Sequence, residues 1–96
     1  MYISVRRYNN VVSVSEVCSK IAVSFVPLLQ KSPGFIAYYA VDGGDGTMAT
    51  ISMFSTEQMA MESNETALEW MKEHVADLQP EAPEITAGKA RVEATA

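Results

Sequence analysis

The chain has 96 residues, of which 48% are hydrophobic and 20% are charged, and its formal net charge is −5. This composition is typical of one folded globular domain over residues 1–96 and excludes a disordered chain. The negative charge argues against nucleic acid or an anionic membrane as a partner, because both attract basic surfaces. A domain this small leaves much of its surface in water, so association with a second copy would add stability.

No targeting segment is predicted at the start of the chain. Arg6-Arg7 is followed by Tyr8-Asn9-Asn10 rather than by an apolar run, so the pattern of a secretory signal is missing. No apolar stretch approaches the roughly 20 residues that span a bilayer. We therefore expect a cytoplasmic protein without a membrane partner. Cys18 is the only cysteine, so no disulfide can form within the chain.

The first third of the chain predicts a strand followed by a helix. Residues 2–8 alternate loosely and end in a turn signal. Ser13 and Glu16 have the spacing of a capping box, which marks the start of a helix over about residues 14–31. Apolar residues recur in it at helical spacing, namely Val14, Val17, Cys18, Ile21, Phe25, Leu28 and Leu29.

Two features of this helix are more specific. Pro27 has no amide hydrogen for the Val23 carbonyl, so it should kink or loosen the last turn. Cys18 lies in the apolar stripe, where we expect it to be buried as a small hydrophobic residue. Pro33-Gly34 then ends the element.

A hairpin is predicted next, and its first strand is apolar on both sides. In residues 35–41 one side would carry Phe35, Ala37, Tyr39 and Val41, and the other Ile36, Tyr38 and Ala40. Two helices can cover only one face of a small sheet, so the second face must contact a partner chain, a ligand, or both. Asp42-Gly43-Gly44-Asp45-Gly46 is expected to be the turn, because glycines allow positive φ. It leads into a strand, whereas phosphate-binding loops lead into a helix.

The last third predicts a second helix and a final strand. Ser55 and Gln58 have capping-box spacing, and apolar residues on one side extend the helix to about Leu78. A proline-containing connector over 79–83 precedes a strand over 84–93. The resulting order, strand-helix-strand-strand-helix-strand, predicts an α+β ferredoxin-like fold, with a four-stranded antiparallel sheet and both helices on one face.

Several segments resemble one protein family when taken with this element order. They are Pro27-Leu28-Leu29, Pro33-Gly34-Phe35, Ala37-Tyr38-Tyr39, the glycine-rich turn, and Ser63-Asn64 with Trp70. Together they resemble the dimeric α/β-barrel superfamily, and within it small proteins of the antibiotic-biosynthesis monooxygenase type. The resemblance covers nearly the whole chain. It implies a homodimer in which two sheets face each other. Its members include cofactor-free oxygenases of polyphenols, haem-degrading enzymes and proteins of no known activity.

The resemblance implies a catalytic set on the second helix. Oxygenases of this type use an asparagine and a tryptophan there to hold an aromatic substrate and a reduced-oxygen intermediate. Asn64, Trp70 and His74 fall within about 120° of helical arc, so they are the catalytic candidates. His74, the only histidine, would carry a proton near neutral pH or bind haem. The alternative is that Trp70 packs in the core and that Asn64 and His74 are surface residues.

Other polar residues are candidates for substrate binding. They are Tyr38, Tyr39, Thr50, Ser52 and Arg91. A tyrosine hydroxyl that faces a cavity can orient a phenolic substrate, and Thr50 and Ser52 share one face of their strand. Arg6 and Arg91 lie on the outer strands, where a guanidinium could pair with a substrate oxyanion or form an ordinary salt bridge. Packing within a dimer is the alternative for the tyrosines.

These patterns lead to a first functional hypothesis and two others. The first is a cofactor-independent monooxygenase-like domain that binds a small aromatic molecule, with no cofactor and no metal. The second is a non-catalytic dimeric module that binds a small molecule or assists another protein. The third is a haem-binding or haem-degrading protein. Whether the chain is an enzyme stays open at this point.

Overall fold

The computed structural model describes residues 1–96. Its elements are β1 (Tyr2–Tyr8), α1 (Val14–Lys20), a π-helical turn (Ile21–Phe25), α2 (Val26–Gln30), β2 (Phe35–Gly44), β3 (Thr47–Phe54), α3 (Glu57–His74) and β4 (Glu84–Lys89). The strands form one antiparallel sheet in the order β2-β3-β1-β4. Helices α1 and α2 pack on β2, and α3 packs on β1 and β3. The predicted ferredoxin-like α+β fold is confirmed.

The first helical segment is loosened near Pro27 as predicted, but in the turn before the proline rather than in the last turn. Ser13 caps α1 as expected, and its Oγ accepts the Glu16 amide at 3.3 Å. Over Ile21–Phe25 the helix becomes π-helical, and the Val26 amide donates to the Ile21 carbonyl five residues back. A proline ring clashes with the carbonyl four residues before it in a regular helix. The distortion therefore precedes Pro27, and the turn after it is regular α-helix.

Strand β2 contains a bulge that changes which face one of its aromatic residues occupies. Phe35 pairs with Phe54 and Ala37 with Met53, so one extra residue lies between the two pairs. The Phe35 ring packs edge-on against Phe54 at 5.7 Å, beneath the helices. The expectation that Phe35 shares a face with Ala37 and Tyr39 is therefore wrong, because a bulge shifts the alternation by one residue.

The hairpin turn is tighter than the glycine-rich segment suggested. Strand β2 continues to Gly44, and only Asp45 and Gly46 connect it to β3. Asp45 has φ 53° and Gly46 has φ 76°. Two consecutive positive φ values match a type I′ turn, whose twist fits a two-residue hairpin.

The second helix and the last strand are shorter than predicted. Thr56, not Ser55, caps α3, because its Oγ1 accepts the Met59 amide at 3.2 Å. The Ser55 amide donates instead to the Gly34 carbonyl at 2.9 Å. Helix α3 stops at His74 rather than Leu78, because the backbone of Val75 leaves the helical conformation with φ −134° and ψ 12°. Strand β4 ends at Lys89 because its pairing partner in β1 at that point is Tyr2, the first residue of that strand.

The core lies between the helices and one face of the sheet. Its fully buried side chains include Val17, Met48, Phe54 and Val75. Cys18 is only half-buried at its margin, so the expectation of a buried thiol is met in part.

The other face of the sheet carries apolar residues with no helix over them: Ile3, Val5, Tyr39, Val41, Ile51 and Met53. We call this set the open face. None of the helices has the length and apolar character needed to cross a membrane.

Candidate functional site

A cavity of about 630 Å³ lies between α3 and the helix-covered face of the sheet. Cavities of this size commonly hold small organic ligands. All four strands contribute to its sheet side, and side chains two residues apart on one strand point the same way; the residues are Arg6, Tyr8, Tyr38, Thr50, Ser52 and Ile85. Its helix side includes Asn64, Ala67, Trp70 and Met71.

The connector between α3 and β4 forms the third side of the cavity. Residues 79–83 all line it. The connector is tied to the segment that follows β1, because the Val12 amide donates to the Leu78 carbonyl at 2.9 Å and the Asn10 side-chain amide donates to Glu81. Pro80 and Pro83 restrict the backbone further. The cavity therefore has one wall made of a tethered loop rather than of regular structure.

A charged and a polar side chain meet inside the cavity. The Arg6 guanidinium on β1 donates through Nη2 to Asn64 Oδ1 on α3 at 2.5 Å. Arg6 is half-buried, and its only protein acceptor is this amide oxygen. A guanidinium has five N–H donors, so the contact with Asn64 leaves donors for a ligand.

Two tyrosines present phenols to the same cavity. Burial raises the pKa of Tyr38, and the nearby Tyr8 raises it further, while the Thr50 hydroxyl and the Arg6 guanidinium oppose the shift. Burial likewise raises the pKa of Tyr8, whose hydroxyl donates to Met71 Sδ at 3.5 Å. Both phenols are therefore neutral hydrogen-bond donors at neutral pH. The Tyr38 ring is held edge-on by Phe25 with centroids 5.7 Å apart.

Trp70 lines the cavity as part of a packed cluster. Only 4% of it is exposed. Its Nε1–H donates to Ser24 Oγ at 2.8 Å, and its ring lies 5.2 Å from Phe25 and 4.9 Å from His74. Ser24 and Phe25 both belong to the π-helical turn, so this turn fixes the indole. Its N–H is already used, which leaves Trp70 to contribute apolar surface.

His74 lies outside the cavity, although the sequence placed it with Asn64 and Trp70. Its side chain is exposed, stacks on Trp70 at an interplanar angle of 13°, and its Nδ1 lies 2.9 Å from the Trp70 carbonyl. Because a carbonyl can only accept, Nδ1 carries the proton in this contact. The imidazole therefore covers the indole from the solvent side, away from the position that a haem ligand or proton carrier inside the cavity would occupy.

The remaining substrate-binding candidates divide between the two faces of the sheet. Tyr38, Thr50 and Ser52 line the cavity. Tyr39 is 57% exposed on the open face, and Arg91 is exposed beyond the end of β4. Tyr8 also lines the cavity, but it was not among the predicted site residues because its segment was interpreted as a turn. Tyr8 and Arg6 are two residues apart on one strand, and this alternation would have placed both on one face.

Metal-ligand chemistry has no candidate in the structure. No group of three or more histidine, cysteine, aspartate or glutamate side chains is close enough to hold a metal ion.

Solved structures share the fold over nearly the whole chain. SnoaB from Streptomyces nogalater, a cofactor-independent oxygenase, has a TM-score of 0.77 and 15% identity, covering 96% of this chain and 94% of that one. A monooxygenase from the gene ActVA-Orf6 of Streptomyces coelicolor, solved with nanaomycin D, has a TM-score of 0.76 and 12% identity, covering 99% and 91%. An MhuD variant with two manganese protoporphyrin IX molecules per active site has a TM-score of 0.73 and 10% identity, covering 100% of both chains.

Comparisons that use the amino-acid sequence alone find no similar protein. No protein-family description matches the chain, and no curated protein matches it. At 10–15% identity the structural similarity shows the fold alone. The resemblance to monooxygenases of this fold is thus confirmed at the level of architecture, and oxygenases share that architecture with a porphyrin-binding protein.

Proposed function

We propose that the chain binds a small, flat aromatic molecule in the cavity beneath α3 and oxidises it with molecular oxygen, without a cofactor. The observation that carries this proposal is the lining of the cavity. Apolar walls from Phe25, Trp70 and Met71 surround a few polar groups, chiefly Asn64 and the phenol of Tyr38. Apolar walls with a small number of convergent polar groups are typical of sites for aromatic ligands.

The proposed chemistry relies on the substrate for electrons. In an anthrone or hydroquinone, loss of a proton to water gives an electron-rich anion that can react with oxygen. For an anthrone, one O₂ converts the ring CH₂ to C=O and releases one H₂O, so both hydrogens leave the carbon and one oxygen atom stays. The chain would orient the ring and donate hydrogen bonds to its oxygens. Asn64 and neutral Tyr38 are the proposed donors.

The catalytic set that we propose differs from the set read from the sequence. Asn64 and Tyr38 would contact the substrate, and Trp70 would form the apolar wall. His74 has no proposed contact with substrate, because it covers the outer side of Trp70. Arg91 and Tyr39 lie outside the cavity and have no proposed contact either.

A second copy of the chain is the proposed partner for the open face. Ile3, Val5 and Ile51 are centrally placed on it and Tyr39 is 57% exposed. An apolar sheet surface of this kind is unfavourable in water. Packing two such faces together would give the dimeric barrel that the sequence resemblance implies. The cavity lies on the opposite side of the sheet, so each subunit would keep its own site.

A non-catalytic binding module is the second candidate. It is favoured by the position of His74, since the only imidazole in the chain lies outside the cavity. Under this hypothesis ligands bind in the same cavity, but no oxygen is consumed.

Oxygen consumption with a panel of hydroquinones and anthrones separates the two candidates. We expect quinone to form in step with oxygen use, and we expect Tyr38→Phe to lower kcat by at least about tenfold. Tyr39→Phe is the matched control, because it removes the same hydroxyl from the adjacent residue on the opposite face. Binding without oxygen use would leave only the binding module. Equal kcat values for Tyr38→Phe and Tyr39→Phe would remove Tyr38 from the mechanism.

A further inference from the structure

We infer that Arg6 anchors an oxyanion on the ligand, so that the cavity selects aromatic molecules that carry a carboxylate or a phenolate over neutral ones. This inference rests on the proposed binding of a flat aromatic molecule and specifies its chemical class. It starts from a half-buried positive charge in the cavity wall that no acidic side chain neutralises.

The absence of an acidic partner for Arg6 is the first argument. The only ion pair in the structure joins Arg7 and Glu84, on the other face of the sheet. Arg6 instead donates to a neutral amide oxygen, that of Asn64. A half-buried guanidinium without a counter-charge is poorly compensated, and an anion beside it gains a charge-assisted hydrogen bond.

The fixed position of the guanidinium is the second argument. Arg6 lies in the middle of β1, between Thr50 on β3 and Ile85 on β4. Its contact with Asn64 joins the sheet to α3 across the cavity. A guanidinium held in this way needs little ordering when a ligand binds, and its planar fork matches the two oxygens of a carboxylate.

The charges around the cavity are the third argument. Arg6 and Lys72 line it, and Glu81 is its one lining acid. Glu81 is exposed and already accepts a hydrogen bond from Asn10. The cavity is thus locally positive in a chain whose net charge is −5. The neighbouring phenol of Tyr38 is a neutral donor, and it would also favour an oxyanion.

The test compares ligands of nearly equal shape and different charge. The probes are 2-naphthoate, its neutral isostere 2-naphthamide, and 2-naphthol, with Kd measured by isothermal titration calorimetry. We expect wild type to bind 2-naphthoate about 10- to 100-fold more tightly than 2-naphthamide. Binding of 2-naphthol should lower its pKa, which the absorbance of the naphtholate reports. The naphthoate arm detects a carboxylate site, and the naphthol arm detects a phenolate site.

Two variants and one control assign the preference to Arg6. Arg6→Met removes the charge and should make 2-naphthoate and 2-naphthamide bind equally, with little change for the amide. Arg6→Gln does the same while keeping a hydrogen-bond donor, which covers the case that Arg6→Met does not fold. Arg7→Met removes the neighbouring arginine, whose side chain is exposed on the opposite face, and should keep the full preference.

Each outcome decides between the proposals. Equal binding of naphthoate and naphthamide by wild type, with no shift for naphthol, overturns the inference but leaves aromatic binding intact. A preference that survives Arg6→Gln also overturns it. A preference for the anion without oxygen consumption supports the inference and removes the oxygenase proposal. Failure of all three probes to bind overturns both.

Discussion

Ser24→Ala tests whether the π-helical turn holds the cavity wall in place. Ser24 Oγ accepts the Trp70 Nε1–H at 2.8 Å, and Trp70 is 4% exposed. Replacing Ser24 by alanine removes the acceptor and leaves the indole N–H buried without a partner. The change is small in volume, so it reports on this hydrogen bond rather than on a cavity in the core.

The expected loss of stability follows from three contributions. A buried donor left without an acceptor costs about 1–3 kcal/mol. The exposed bond from Ser24 Oγ to the Lys20 carbonyl at 3.2 Å is also lost, which adds less than about 1 kcal/mol. Alanine has the better helix propensity and returns about 0.5 kcal/mol. The net loss should be about 0.5–3.5 kcal/mol, and its central value of about 2 kcal/mol corresponds to about 8–16 °C in Tm for a domain of this size.

The assay is urea unfolding followed by far-UV circular dichroism at one fixed protein concentration, since association would otherwise shift the midpoint. A double-mutant cycle with Trp70→Phe isolates the pair. In the Trp70→Phe background, Ser24→Ala should be nearly neutral, because no indole N–H remains to lose its acceptor. Ser19→Ala is the control, since Ser19 is exposed on α1. A coupling below about 0.3 kcal/mol, or equal losses for Ser24→Ala and Ser19→Ala, would refute this account.

Three further predictions follow from the fold. Burial raises the pKa of Tyr38 above its ordinary 10.0. Above about pH 10 the unfolded state therefore loses the phenol proton while the folded state keeps it. The free energy of unfolding should be constant below about pH 10 with respect to this group, and should fall above it by up to about 1.4 kcal/mol per pH unit. Urea titrations at several pH values should show a shallower fall for Tyr38→Phe. Gly34→Ala should lower the free energy of unfolding by about 1–2 kcal/mol in a urea titration, since Gly34 has φ +73° and a Cβ would collide with Met59. An unchanged urea midpoint would contradict this. By sedimentation equilibrium we expect wild type to be a dimer and Ile51→Lys on the open face to be a monomer, and equal masses would count against that interface.

The element order could be predicted because it depends on local patterns. Alternation marked β1, the Ser13 cap marked α1, and glycines marked the hairpin, and each of these signals acts within a few residues. The boundaries that differed depend on distant partners. Helix α3 ends just before Val75, which leaves the helical conformation and is buried in the core, and β4 ends opposite Tyr2, where β1 begins. No local pattern contains that information.

The candidate site was predicted in part for the same reason. Helical spacing brought Asn64, Trp70 and His74 to one side of α3, but spacing cannot tell which of them another element already covers. The Trp70 N–H is bonded to Ser24 and its ring packs on Phe25, while His74 stacks on the outer side of the indole. The pairing of Arg6 with Asn64 joins residues 58 positions apart, and it depends on how the sheet and the helix dock.

The tethered connector gives the cavity a reporter that lies outside it. The Val12 amide proton is held only by the Leu78 carbonyl, so it can exchange with solvent deuterium only when that link opens. A ligand that contacts residues 79–83 would keep the link closed and slow the exchange at Val12, more than 60 positions earlier in the chain. Occupancy of the site could thus be followed at one backbone position without labelling the ligand or altering any residue that touches it.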